Sequence, residues 1–523
     1  MIYSTVILII AHILLAHSVS SAKVYCNATT QINGSSTYKF GGRYSHSTPQ
    51  VFQPYNNQSC YFKIVVPAGS YAILKINGSM TSKDNYSISD SANVFTYSEQ
   101  LKNIFRTYNL PAGDNKLYIN TPSGSYFNST LGFDVRYFKL NSTSGGSTNL
   151  FVGKNMKPVI LFEHTNNNVI SIITSMSMST IVASVVSSTQ DPFAGTSYLV
   201  YKSDGTPLGS LFFYDIQGLM FNSNGEKEIT ICNFPTSDLI EEVVVNALEN
   251  VQRFNDKYKI ISMPSTFNQP LTLDATNGPV AISVFSFFPQ NEYLTSAAFS
   301  SNSTRLTIEA GGPTADKVFA LSQYSSLSIA NAVPQRVNGY LNTYIAENGT
   351  ITIQLISLDQ RVDVAYKTLI TGQRRFYTSP TYPFAIDYGF DSCYFSATSR
   401  VKITVSSENI FFNTTSNSSR YVEYKILDGG NLVASHFDNY TESKSSNVLV
   451  GNGDALSIVY IDADGAESGV FLALQIDQPD PSLETTTHEG GISTETTTRI
   501  ASRSGSYFVT FLVATIIRVY FST

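Results

Sequence analysis

The residues in this chain with chemistry to offer are few and far apart. Six histidines occur in 523 residues. His12 and His17 fall in an apolar N-terminal run and His488 in a threonine-rich segment near the other end, which leaves His46, His164 and His436. Glu163 beside His164 has the form of an acid–base pair, but no G-x-S-x-G or H-E-x-x-H accompanies it to supply a nucleophile or a metal site. A lone histidine in a β-rich sequence reads as a strand-edge residue. The four cysteines, Cys26, Cys60, Cys232 and Cys393, are an even number. In an oxidising compartment they are expected as two disulfides, with three connectivities possible. Paired cysteines supply neither a thiolate nucleophile nor a sulfur-ligated metal. The sequence therefore predicts a non-enzyme, with no metal and no cofactor.

A different chemistry is written densely. Asn27, Asn33, Asn57, Asn77, Asn85, Asn128, Asn141, Asn302, Asn348, Asn413, Asn417 and Asn439 each head an N-x-S/T sequon. A dozen sequons behind a secretory leader make surface glycosylation the default reading. Charged residues are only 14%, against about a quarter in an ordinary globular chain. A weakly charged surface lets chains associate, and glycans supply the missing hydration. The net charge of −6 gives no basic stripe for nucleic acid. The abundant tyrosines offer rings that stack on sugars. The partner to expect is an extracellular protein or glycan ligand.

The two ends of the chain set the compartment. Val6 to Leu15 is apolar, and Ser20-Ser21-Ala22 follows with the small residues of a signal-peptidase site, so residues 1–22 read as a removed leader. Tyr507 to Phe521 is a second apolar run. Its fifteen residues would span about 22 Å as a helix, short of the ~30 Å hydrocarbon core. Small residues and a polar spacer precede it, the pattern exchanged for a glycosylphosphatidylinositol anchor, with Ser493 or Ser502 as the attachment site. The protein is thus expected on the outer face of the plasma membrane, in raft fractions, held by lipid and in part shed.

Most of the remaining chain alternates apolar and polar residues over short stretches cut by Gly, Asn and Ser. Ile64, Val66, Tyr71, Ile73 and Ile76 lie in one such run, and Val401, Ile403 and Val405 in another. The fold class predicted is all-β, in tandem β-sandwiches. One stretch reads otherwise: Asp238 and Glu241 have capping-box spacing, and Leu239, Val243, Ala247 and Val251 approximate a helical stripe. Polar linkers at 142–148, 373–383 and 477–506 divide the chain. The segments are 23–141, a β-rich middle at 142–375, 376–478, a stalk at 479–506 and the tail at 507–523.

The first segment resembles a known family. Cys60-Tyr61-Phe62-Lys63-Ile64-Val65-Val66-Pro67-Ala68-Gly69, with the strand that follows to Ile76, is similar to the core strand pair of CUB domains. Asp84-Asn85-Tyr86-Ser87-Ile88-Ser89-Asp90 resembles that family's Asp-Tyr strand, and Lys116–Ile119 with Gly132–Val135 its closing strands. Only Cys26 and Cys60 fall in the domain, where CUB domains usually carry four cysteines. This two-cysteine form resembles the CUB-like domain of a nematode family of secreted, infection-responsive proteins, many with anchor signals. The resemblance implies a jelly-roll type sandwich at 23–141. Cys26 and Cys60 are expected to pair within it, leaving Cys232 for Cys393. Some CUB domains hold calcium through clustered acids, and Asp84, Asp90 and Asp114 are the nearest candidates. Three acids do not by themselves assemble the six to eight oxygens calcium wants. A fainter likeness, in Val422–Gly429 and Ala455–Tyr460 with the hairpin to Ala473, predicts a second, divergent CUB-like sandwich at 376–478. The implied function is a surface interaction module in innate defence against bacteria at an epithelium. The alternative is a structural, glycan-rich coat without a specific ligand.

Overall fold

The computed structural model describes residues 23–483 apart from 25–28, 35–37, 41–52, 55–57, 82, 93–95, 100–101, 123–128, 141–146, 163–168, 177–179, 188–195, 216–217, 235–240, 265, 287–291, 358, 381, 384–388, 413–419, 440–446 and 463–467. The leader, most of the stalk with Ser493 and Ser502, the tail, and Cys26, His46, Glu163 and His164 lie outside the described residues.

The first sandwich shows why alternation produces this architecture. Its two main sheets are built from β1 (Thr29–Asn33), β2 (Tyr38–Phe40), β3 (Gln58–Val66), β4 (Ser70–Ser79), β5 (Asn85–Ser89), β6 (Tyr97–Glu99), β7 (Lys102–Leu110), β8 (Gly113–Thr121) and β9 (Thr130–Lys139), with a short parallel pair, Lys23–Val24 and Gln53–Pro54, besides. On β3, Cys60, Phe62, Ile64 and Val66 are buried, while Tyr61, Lys63 and Val65 between them are only partly so. The register with β8 sets Leu117 opposite Phe62 and Ile119 opposite Cys60, so both strands send the same face inward. That face needs a second sheet, and the Phe62 ring meets Phe133 of β9 edge-on at 4.9 Å. Gly69, at φ 70°, makes the β3–β4 turn that Pro67-Ala68-Gly69 announced. The two sheets run β1-β3-β8-β5-β6 and β2-β9-β4-β7, with β1 and β3 parallel.

The same nine-strand plan recurs twice. The second copy is β10 (Ser147–Val152), β11 (Val159–Phe162), β12 (Val169–Ser175), β13 (Ile181–Ser187), β14 (Tyr198–Lys202), β15 (Pro207–Ser210), β16 (Phe221–Asn222), β17 (Glu228–Asn233) and β18 (Glu241–Ala247). The third is β19 (Tyr258–Met263), β20 (Asn268–Ala275), β21 (Val280–Ser286), β22 (Glu292–Phe299), β23 (Arg305–Ala310), β24 (Ala320–Tyr324), β25 (Gln335–Val337), β26 (Leu341–Glu347) and β27 (Gly349–Ile356). Adding nine or eighteen to each label of the first copy reproduces both sheet orders and the parallel opening pair. The β-rich middle is therefore two more sandwiches of the first one's topology.

The fourth domain is built differently. Its strands β28 (Arg374–Thr378), β29 (Gly389–Phe412), β30 (Arg420–Asp428), β31 (Asn431–Asn439), β32 (Val448–Asp462) and β33 (Ser468–Asp477) form one sheet in the order β28-β33-β29-β32-β30-β31. The long strands β29 and β32 shift register between Ser396 and Val401, which divides the sheet into two halves enclosing a common core. The expectation of a second CUB-like copy at 376–478 thus meets a different strand order, while the true repeats of the first plan lie upstream.

Each junction is filled by inserted side chains. Helix α1 (Leu211–Asp215) of the second sandwich places Phe212 and Phe213 in the core of the first, with the Phe212 ring 5.1 Å from Tyr97 and 5.4 Å from Tyr108. Asn109 donates to the carbonyls of Thr196 and Phe234, each at 3.1 Å. Between the second and third, Asn250 on the single turn α2 (Leu248–Val251) accepts from the Asn155 amide at 2.9 Å and the Ala315 amide at 3.1 Å. Between the third and fourth, Arg336 of β25 pairs with Asp391 of β29 at 2.7 Å, both almost fully buried. The Arg336 guanidinium lies over Tyr366 of α3 (Gln360–Lys367) and over Tyr377.

Two expectations are corrected. Of the predicted helix over Asp238–Val251, Asp238 and Leu239 lie outside the described residues, and the rest is strand β18 followed by the one turn α2, because Val243-Val244-Val245 are β-branched and the strand is buried on both faces. Cys232 and Cys393 are free and buried, in the second and fourth domains, and do not form the second disulfide. Burial pushes both thiols up to about 12. Cys60 is in the first core, and Cys26, the partner expected for it, lies outside the described residues. A thiol-reactive chromophore should therefore label no cysteine in the native protein and two after denaturation without reductant. Zero thiols after denaturation would restore the second disulfide.

Candidate functional site

The sequence named acids, histidines and glycan sites, and the structure scatters the first two. Asp84 accepts from the Thr81 hydroxyl at 2.7 Å and from the Ser129 hydroxyl. Asp90 accepts from the Ala92 amide at 3.0 Å and, across the junction, from the Ser210 amide at 2.9 Å. Asp114 pairs with Lys63 at 2.6 Å on the exposed sheet face. Two of these acids hold backbone and hydroxyl groups in place and the third is a surface ion pair. No group of three metal-ligating side chains occurs among the described residues. His436 sits on the edge strand β31, its Nε2 2.9 Å from buried Asp438 and its ring 5.1 Å from Tyr424.

Of the sequons, Asn33, Asn302 and Asn348 are exposed, and Asn77 and Asn85 are half-buried on strand faces. Asn302 and Asn348 share one end of the third sandwich, where the Thr304 hydroxyl donates to the Asn348 carbonyl at 3.0 Å. Asn439 ends β31. Asn27, Asn57, Asn128, Asn141, Asn413 and Asn417 lie outside the described residues.

The feature that stands out was not named from the sequence. One half of the fourth domain's sheet turns an aromatic face to solvent. Inward, Asp391, Cys393 and Phe395 of β29 face Tyr460, Ile458 and Leu456 of β32 and, beyond them, Val422, Tyr424 and Ile426 of β30. Period-two alternation then sends Phe390 and Tyr394 outward, 62% and 53% exposed. The registers carry Phe390 to Ile461 and on to Tyr421, and Val459 to Glu423 and on to Phe437. Phe437 is 50% exposed and its ring lies 5.2 Å from Tyr421. Rings at several positions, interleaved with Ser392, Glu423 and Lys425, make an open platform of apolar surface with hydrogen-bonding groups among it. Exposed aromatic rings gathered on one sheet face among polar groups mark a contact surface. The signal for it was present in Gly389–Phe395 (GFDSCYF), where aromatic residues occupy both alternating sets. A strand with one buried face cannot hide both.

Comparison with known proteins bears on the first and third sandwiches. Residues 21–141 match the model of the CUB-like domain family. The first sandwich is CUB-like. Residues 249–358, which contain the third sandwich, match a domain of unknown function (DUF7591). No curated protein matches the chain significantly. Among solved structures, the CUB1-EGF-CUB2 domains of rat MASP-1 align at 7% identity and TM-score 0.17, over 86% of this chain and 99% of that one. The CUB1-EGF-CUB2 domain of human MASP-1/3 aligns at 8% and 0.15, over 37% and 95%. The full extracellular region of zebrafish Gpr126/Adgrg6 aligns at 10% and 0.17, over 87% and 57%. At these values the likeness says nothing of ligand or partner. The CUB-like match covers the first sandwich, and the chain as a whole is a tandem multi-domain β protein.

Perturbed acids, a common sign of an active site, lie elsewhere. Burial pushes the Glu292 carboxyl up to about 8, opposed by hydrogen bonds from the Tyr344 hydroxyl and, at 3.1 Å, the Asn342 amide. Burial also raises Glu309 and Asp215 to about 7. None belongs to the aromatic face. Their consequence is for stability. A carboxyl whose pKa is higher folded than unfolded binds its proton more tightly in the native state. Its contribution is complete below about pH 4.5 and is lost as pH rises to about 8, at up to about 1.4 kcal/mol per pH unit for each group. The melting temperature should fall between pH 5.5 and pH 8, and Glu292→Gln should flatten that fall. A melting temperature that rises over the same interval would contradict the assignment.

Proposed function

We propose that this chain is a non-catalytic extracellular interaction protein. It stands on the outer face of an epithelial plasma membrane on a glycosylphosphatidylinositol anchor, in raft domains, and acts in innate defence by contacting bacteria or host glycans and proteins. The observation that carries this reading is the outward aromatic face of Phe390, Tyr394, Tyr421 and Phe437 on a domain fixed to three sandwiches. The CUB-like match supports an interaction role for the first of them. Defence and anchoring rest on the family resemblance and the terminal sequence.

A second reading is favoured by one register: Asn439 lies opposite Tyr421, so a glycan there would border the aromatic face. In that case glycan shields the face and the protein is a coat. The soluble ectodomain, screened against glycan arrays and bacterial surfaces, separates the two. The account expects binding, and expects Phe390→Ser with Phe437→Ser to weaken it about tenfold or more at unchanged melting temperature. No binding by the wild type, or equal binding by the variant, would favour the coat. Release of the native protein from cells by phosphatidylinositol-specific phospholipase C checks the anchor.

A further inference from the structure

A second site lies between the third and fourth domains, where a cavity of about 550 Å³ opens. That volume is in the range of ligand sites, roughly 300–1,000 Å³. Two strands border it, β24 and β28, and each is the terminal strand of its sheet. A strand that shows a cavity its face contributes alternate residues. Here Leu321, Ser322, Gln323 and Tyr324 line the cavity in unbroken succession, as do Arg374, Arg375 and Phe376. Ala473, Leu474 and Gln475 of the interior strand β33 line it in the same way, so it is the terminal position of β28 in its sheet, and not the lining, that leaves a strand edge at the cavity.

Hydrogen bonds show which way the β28 edge points. The Phe376 amide donates to Gln335 Oε1 at 3.1 Å, and the Phe376 carbonyl accepts from Gln335 Nε2 at 2.8 Å. Both backbone groups therefore point away from β33, toward the third domain. Direction alternates along a strand, so the Arg374 N–H and C=O also point away from β33. Gln335 does at Phe376 what the peptide unit of an added strand would do. No described residue does the same at Arg374. The sheet face beside it carries Gln475 and Thr404 in register with Arg374, and Ala473 and Ser406 in register with Phe376. Arg374 and exposed Glu408 bring one charge of each sign. The Arg375 guanidinium is engaged elsewhere, donating to the carbonyls of Tyr366 and Thr368.

We propose that this cavity takes an extended peptide from a partner protein. The peptide lies along the β28 edge in the cavity, its main chain bonded to Arg374 and its side chains polar and uncharged. Strand addition to an exposed edge draws its affinity from the main chain and its selectivity from the alternate side chains.

The test pans a random heptapeptide phage library on the immobilised full chain and compares two substitutions at one residue. Arg374→Pro deletes an outward N–H that the β33 ladder does not use, a change that edge positions tolerate. Arg374→Ala removes the side chain and keeps the N–H. The expected result is an enriched peptide whose affinity changes less than about threefold with Arg374→Ala and falls about tenfold or more with Arg374→Pro. Hydrogen exchange at Arg374 should slow when it binds. Failure to recover such a peptide overturns the proposal, as does equal loss in both variants. Glycan-array binding abolished by Arg374→Ala would overturn it in favour of a saccharide read by side chains. If Arg374→Pro melts early, Thr404→Tyr, which fills the cavity from the sheet face, must abolish the same binding, and retained binding overturns the proposal.

Discussion

The buried pair between Arg336 and Asp391 sets more of this structure than any other single contact. A lone buried charge is costly to keep ionised, so Asp391 must face the guanidinium at 2.7 Å that the third domain brings to it. Because successive residues of a strand alternate, fixing Asp391 inward sends Phe390, Ser392 and Tyr394 outward. A slip of one residue in β29 would bury those and expose Cys393 and Phe395. The pair therefore decides which aromatic set forms the face. It also ties the fourth domain to the third, and the cavity beside the β28 edge lies between those two domains. Tyr366 and Tyr377 pack against the guanidinium and are themselves fully buried, so the charge, the rings and the domain contact are one unit.

The repeat of one nine-strand plan explains how a chain with few charges and no large single core is stabilised. Each sandwich has its own hydrophobic centre, and each junction adds a further small one: Phe212 and Phe213 inside the first core, Val186 and Val244 against Phe285 and Leu341, and Phe376 and Phe471 against the third core. Faces that an isolated sandwich would turn to water are spent on neighbours. The contact surface left over on the fourth domain is conspicuous because so much other apolar surface is covered.

That covering also explains what the sequence could and could not show. In the first sandwich β4 and β8 each have one buried face, and their alternation is plain in the residues. Strands β13, β18 and β26 are buried on nearly all sides, and their sequences lose the period-two signal that alternation requires. The second and third sandwiches were invisible as repeats for that reason, and β18 was open to a helical reading. The free thiols were missed because an even cysteine count in a secreted chain says nothing of distance: Cys232 lies in the cluster where the first and second sandwiches meet, and Cys393 in the core of the fourth domain. The acids near Asp84 were legible as residues but not as a geometry, since their partners Ser129 and Ser210 are distant in the chain.

The measurement that tests this account most directly is a double-mutant cycle on the buried pair, Arg336→Met and Asp391→Leu alone and together, read as unfolding free energy of the folded chain. Removing one partner of a buried pair strands the other charge and costs about 3–5 kcal/mol, whereas replacing both with apolar residues is often near neutral. The account predicts that each single substitution is severely destabilising and that the double variant recovers most of the loss. Single substitutions that cost little, or losses that simply add, would show that the third and fourth domains and the outward aromatic face do not depend on Arg336 and Asp391.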